Sequence, residues 1–162
     1  MINHYEIIAQ RIRQETEELE RIVNAAQRHW RSSKTSPDAD AYINSVALNC
    51  HGFYSGLERI VELIATDIDG IKIGGEHWHV ELLRQMTLDL PKIRPPILQK
   101  ESSNRLDEFR RFRHLVRNIY TTNLVPDEVE KLVNALPTLW SQVSSQLATF
   151  TQYLDGLAHA DE

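Results

Sequence analysis

Apolar residues recur three and four positions apart over four long stretches of this chain, a spacing that lines them up on one side of an α-helix. The first stretch covers about residues 3–32, with Ile7, Ile8, Ile12, Leu19, Ile22, Val23 and Ala26 as its apolar face and an end at Ser32-Ser33 before Pro37. The second, from about Asp38 to Asp67, opens at Ser36-Pro37-Asp38 and carries Tyr42, Val46, Leu48, Phe53, Leu57, Ile60, Val61 and Ile64. A third runs from about Ser102 to Thr121, with Ser102 or Ser103 as cap, and a fourth from about Pro126 to Leu157. In the last, Pro126-Asp127-Glu128 is a strong start, because proline needs no partner at the first helical position and the carboxylates face the positive end of the helix dipole. Pro137 is expected to kink or divide that helix near residue 136. Between Asp69 and Pro96, Asp-Gly, Gly-Gly and Pro-Pro pairs bracket a short helix at about His77–Leu88. The expectation is an all-α antiparallel bundle of four long helices plus a short inserted helix. The 162 residues make one domain, 1–162, with the insert at about 69–100. Gly52 and Gly56 lie one turn apart on the second helix, a spacing that fits close approach of a neighbour as well as it fits simple tolerance.

Nothing in the chain reads as a membrane span, since no run of eighteen apolar residues occurs. The N-terminal Met1-Ile-Asn-His-Tyr lacks the basic and apolar regions of a leader, and the single Cys50 permits no internal disulfide, so a cytoplasmic location is expected. Cys50 itself sits in an apolar stretch, where a buried structural thiol is the ordinary outcome.

Charge carries the functional signal. The chain as a whole has 18 Lys and Arg against 23 Asp and Glu, a formal net charge of −5. Residues 105–120 invert that balance: Arg105, Arg110, Arg111, Arg113 and Arg117 stand against Asp107 and Glu108, a local net of +3, with no carboxylate from Phe109 to Tyr120. At roughly 100° per residue, Phe109, Phe112, Leu115, Val116 and Ile119 share the core side. Around the opposite arc come Tyr120, Arg113, Arg117, Arg110, His114, Asn118 and Arg111. Guanidinium forks match phosphate oxygens, a histidine titrates near neutral pH, and tyrosine offers a stackable ring with a hydroxyl. A metal-free ribonuclease needs such groups: a base takes the ribose 2′-OH proton, that oxygen attacks the adjacent phosphate, and cations stabilise the charge that develops. An arginine-rich face also suits a salt-bridged surface or an oligomer interface.

The order Arg113-His114-x-x-x-Asn118-x-Tyr120 resembles the signature of the HEPN superfamily, in particular the HepT-like toxins. In those the motif runs arginine, a polar residue, three variable positions, histidine, one variable position, tyrosine. His51-Gly-Phe-Tyr-Ser-Gly-Leu-Glu-Arg-Ile60 is similar to the second helix of such proteins, and the likeness in layout extends from Asn49 to about Tyr153. The resemblance implies a HEPN-like helical bundle that dimerises as a homodimer and cuts RNA, tRNA among the candidates, without metal or cofactor. It further implies a partner, a small nucleotidyltransferase antitoxin of the MNT type, which silences such toxins by AMPylation of the motif tyrosine, here Tyr120. This chain departs from the pattern at one pair of positions: Asn118 stands where the catalytic histidine belongs, and the histidine stands at His114, where the family often has asparagine. Four residues apart, the two project from the same side on successive turns. The implied roles are phosphate binding by Arg113, with Arg110 and Arg117 as further RNA-binding cations, acid or base for His114, orientation of the 2′-OH or phosphate by Asn118, and stacking or AMP acceptance for Tyr120.

Glu58 lies in a face otherwise made of Phe53, Leu57, Val61 and Ile64 and would seek a partner if buried; the resemblance points to Arg113, whereas Glu58 and Glu62 also have Arg59 and solvent within reach. His51, two turns earlier, borders the same cavity or is a satisfied structural histidine. His77-Trp78-His79, with Glu76, invites a metal reading, but residues two apart on a helix diverge by roughly 200° and no further ligand cluster is present to complete a site. Trp78 reads better as an anchor of the insert, with His77 or His79 at the lip of an RNA path. Two function classes stand at this point. One is a toxin endoribonuclease; the other is a non-catalytic helical partner or substrate-binding subunit of a nucleotidyltransferase.

Overall fold

The computed structural model describes residues 3–117 and 126–160, and of residues 114–117 the backbone alone. Five helices account for most of this: α1 (His4–Ser33), α2 (Ala39–Asp67), α3 (Trp78–Gln85), α4 (Lys100–Arg117) and α5 (Pro126–Ala160). Among the described residues no strand forms; one isolated bridge joins Leu90 to Arg94 in the insert. The all-α bundle expected from the periodicity is present, with α3 as the short inserted helix.

Side-chain pairs fix the helix directions. Along α1 and α2, Arg59 meets Glu15 and His29 meets Ser45, and along α1 and α5, Arg13 meets Asp155 while Gln27 reaches Val133, so both neighbours run antiparallel to α1. Along α4 and α5, Gln146 reaches Gln99 and Ser102, with Phe112 near Leu132 at the other end, which is again antiparallel. Buried apolar side chains from all five helices form one contiguous cluster, in which Phe53 meets both Phe109 and Trp140 edge-on at centroid distances of 5.4 and 5.8 Å.

Two residues placed on apolar faces by periodicity turn outward instead: Ile7 is 39% and Leu48 58% exposed, while Cys50 and Tyr54 are buried on α2. The buried arc of α2 is wider than a single stripe because the helix is covered by α1 on one side and by α4 on another. At Gly56 the close approach is real. A methyl group there would lie 2.5 Å from the buried Leu19 Cδ2, whereas at Gly52 it would meet Ile22 Cδ1 at an ordinary 3.8 Å.

Helix ends follow local chemistry with two corrections. Asn3 caps α1 by accepting from the Tyr5 N–H at 3.0 Å. α4 begins at Lys100 rather than at a serine cap: the Ser103 N–H already bonds the Gln99 carbonyl, and the Gln99 N–H is taken by Gln146 Oε1 at 2.9 Å. Ser102 is buried inside the helix and accepts from Gln146 Nε2. Pro137 does not divide α5, which is continuous over 35 residues. A proline at 137 cannot donate to the Val133 carbonyl one turn back, and Gln27 Nε2 from α1 supplies that bond at 2.9 Å.

The insert is latched rather than loose. Gly70, with φ at +69°, turns the chain away from the end of α2. Arg94, 1% exposed, then donates from Nε and Nη2 to Asp69 at 2.6 and 2.7 Å and to the carbonyls of Leu88, Pro95 and Gln85, which uses all five of its N–H groups. The sequence reading did not single out Arg94, because nothing local distinguishes a latched arginine from a solvated one.

Candidate functional site

Glu58 is the centre of the polar group that the fold assembles. It faces inward from α2 at 8% exposure, and its Oε1 accepts from Arg113 Nη1 at 3.2 Å while its Oε2 lies 2.6 Å from His79 Nδ1. Of the partners considered for this carboxylate, Arg113 holds it; Arg59 turns instead to Glu15. In an antiparallel pair each Cα–Cβ bond leans toward its own helix start, so Glu58 on α2 and Arg113 on α4 lean toward a common level. Tyr54, one turn before Glu58, is buried beneath them. Burial, then the charge of Glu58 and a hydrogen bond with it, push the Tyr54 phenol far above its ordinary range, with Arg110 pulling the other way.

The guanidinium of Arg113 is fixed but not saturated. Among the described residues Glu58 is its partner through Nη1 alone, the buried Nε has none, and the side chain keeps 22% of its surface. A buried donor without a partner costs about 1–3 kcal/mol.

The cationic strip is smaller than counting charges implied. Asp107 takes both Arg110, three residues on, and Arg111, four residues on. Burial alone would raise the Asp107 carboxyl, but the hydrogen bond and charge of Arg110, then those of Arg111, outweigh it and hold the group below its usual value. The i,i+3 and i,i+4 spacings were visible in the sequence, where Asp107 was grouped with the first turn of the strip instead of being paired. Arg105 likewise pairs with Glu101.

A cleft of about 640 Å³ runs between α3 and α4, lined by Val80, Leu83, Arg84, Lys100, Asn104 and Arg111 among others. Its lining includes Asp107 and Arg111 of the strip but none of Glu58, Arg113 and His79.

Of the remaining residues singled out in the sequence, His51 is half-buried on α2. His114 and Arg117 belong to α4 by their backbone, and Asn118 and Tyr120 lie outside the described residues. His77 stands at the N-cap position of α3 without a side-chain capping bond and is exposed, whereas His79 turns inward to Glu58. Among the described residues no three or more His, Cys, Asp and Glu side chains gather as a metal ion would need. Burial pushes the Cys50 thiol up to about 12, leaving it protonated and inert at neutral pH.

A family model described as a HepT-like protein matches residues 45–154, from the first turns of α2 to near the end of α5. The chain belongs to the HepT-like family. The match covers most of α2, the insert, α4 and most of α5 and leaves α1 outside, so in this HepT-like chain the Glu58 group lies within the family's span while the Gln27 bond comes from beyond it. Comparison with curated proteins and with solved structures gives no match. Among the described residues no helix is long and apolar enough to cross a membrane.

Proposed function

We propose that this HepT-like chain is the toxin of a HEPN and MNT pair, a metal-independent endoribonuclease that cuts RNA, tRNA being the first substrate to test. The observation that carries the reading is Arg113: a guanidinium pinned by a buried carboxylate, with one buried N–H left unpartnered and part of its surface open. An arginine serving purely to neutralise Glu58 would gain by spending more of its donors on it; this one bonds it through Nη1 and leaves Nε unpartnered. A phosphate fits that demand in shape and charge.

In this reading Arg113 binds the scissile phosphate, with Arg117 and Arg110 as auxiliary cations. His114 transfers a proton, Asn118 orients the 2′-OH or a phosphate oxygen, and Tyr120 stacks on a base and accepts AMP from the antitoxin. His51 supports the Glu58 side of the site. The active unit is a homodimer that brings two such strips together.

A second reading has its own support: Asp107 neutralises two arginines of the strip, which suits a binding partner of a nucleotidyltransferase better than a nuclease groove. Incubation of the purified chain with tRNA decides between them. The ribonuclease leaves fragments ending in cyclic phosphate, and Arg113→Ala and His114→Ala each lower the rate by at least about 100-fold. Intact tRNA at high protein concentration assigns the chain to the second class. A mass increment of one AMP on Tyr120 after co-expression with a neighbouring nucleotidyltransferase tests the pairing.

A further inference from the structure

We propose that His79, on the inserted helix, is the general base of the site, taking the place left by the asparagine at position 118. The inference rests on the ribonuclease reading above and adds a residue from outside the α4 strip.

The geometry points to it in three ways. Glu58 Oε2 can accept but not donate, so at 2.6 Å the Nδ1 of His79 must carry the proton. In the neutral ring Nε2 is therefore a bare lone pair, the form a base needs, and among the described residues it has no partner. The ring is held from two directions, by Glu58 at its edge and by the indole of Trp78 at a centroid distance of 3.5 Å, yet its side chain keeps 20% of its surface. Finally, the carboxylate that fixes His79 also fixes Arg113, so the proton acceptor and the phosphate-binding cation share one anchor.

The step balances without any added reagent. Nε2 of His79 removes the proton from the ribose 2′-OH as O2′ forms its bond to phosphorus. The bond from phosphorus to O5′ breaks, and O5′ receives a proton from the acid, the role left to His114. The products are a 2′,3′-cyclic phosphate and a 5′-hydroxyl. His79 ends protonated against the Glu58 carboxylate and returns its proton to water, while the acid regains one.

The test uses the full chain and an oligonucleotide with a single ribose at the cleavage point, alongside its all-deoxy analogue, which binds but cannot react. In single-turnover assays His79→Ala is expected to cut at least about 100-fold more slowly while binding the analogue within about threefold of the parent. Added imidazole should restore rate to His79→Ala and not to Arg113→Ala. Cleavage by His79→Ala within threefold of the parent overturns the role of His79 and leaves the ribonuclease reading standing. Joint loss of binding and cleavage with no imidazole rescue also overturns it, since His79 would then be a support for the insert. If the parent chain cuts no RNA, both readings fall together. A His79→Gln variant, which keeps a donor for Glu58, guards against misfolding: it should melt with the parent and still lose cleavage.

Discussion

Gln27 on α1 donates from Nε2 to the Val133 carbonyl of α5 at 2.9 Å, closing the gap that Pro137 opens in the helix ladder. Replacing Gln27 by Met keeps the packing and removes the donor. The half-buried carbonyl is then unpaired, and the chain should lose about 1–3 kcal/mol of stability, measured by urea unfolding. The double variant Gln27→Met with Pro137→Ala should recover most of that loss, because alanine restores the backbone N–H.

Glu58 joins α2, α3 and α4 through one carboxylate, so its removal should be costlier than that of any single partner. Glu58→Ala is expected to destabilise by about 3–5 kcal/mol, the range for breaking a buried pair, whereas Glu58→Gln should cost less because the amide still accepts from Arg113. Denaturation midpoints of the two variants and of Arg113→Ala check the order. Equal losses for all three would show that the three-way junction is not the stabilising unit.

Asp107 limits the reach of the strip. Asp107→Asn frees Arg110 and Arg111, and RNA binding should tighten at low salt. The slope of log affinity against log salt should steepen by about 0.7 for each added phosphate contact with single-stranded RNA. The same residue gives a pH signature. Its folded pKa lies below the ordinary 3.8, so the folded state holds fewer protons in acid than the unfolded state does. Its contribution to stability is therefore complete above the unfolded value and fades as pH falls through the folded one. Asp107→Asn should flatten the decline of stability below about pH 4.5, read from melting curves taken in steps of pH.

Cys50, with its thiol pushed up to about 12 by burial, should resist a disulfide reagent in the native state at neutral pH and react fully in denaturant. Native labelling as fast as that of a free thiol would contradict its burial in the core.

The bundle was legible because helix periodicity is a local property, and the family was legible because the residues that carry the resemblance lie in short stretches of sequence. What the sequence did not disclose depends on pairs distant along the chain. His79 is 21 residues from Glu58, and Arg94 is 25 from Asp69. No periodicity connects them, so His79 was read as a lip residue and Arg94 was not singled out. The continuity of α5 through Pro137 is non-local in the same way, since the amide that bonds the carbonyl left free lies 106 residues from Val133. The quenching of Arg110 and Arg111 by Asp107 was local and readable; it was missed by summing charges along the strip instead of pairing them.

Arg94 has a wider consequence. With every N–H engaged and both it and Asp69 shut away from water, it acts as the bolt on a hatch, and His79 rides on that hatch. The imidazole is thus held against Glu58 by a segment that this buried pair keeps in place. Weakening the bolt, as in Arg94→Met, is expected to loosen His79 from the carboxylate, so that any chemistry there would suffer more than helix content does, as activity and circular dichroism followed together on heating would show.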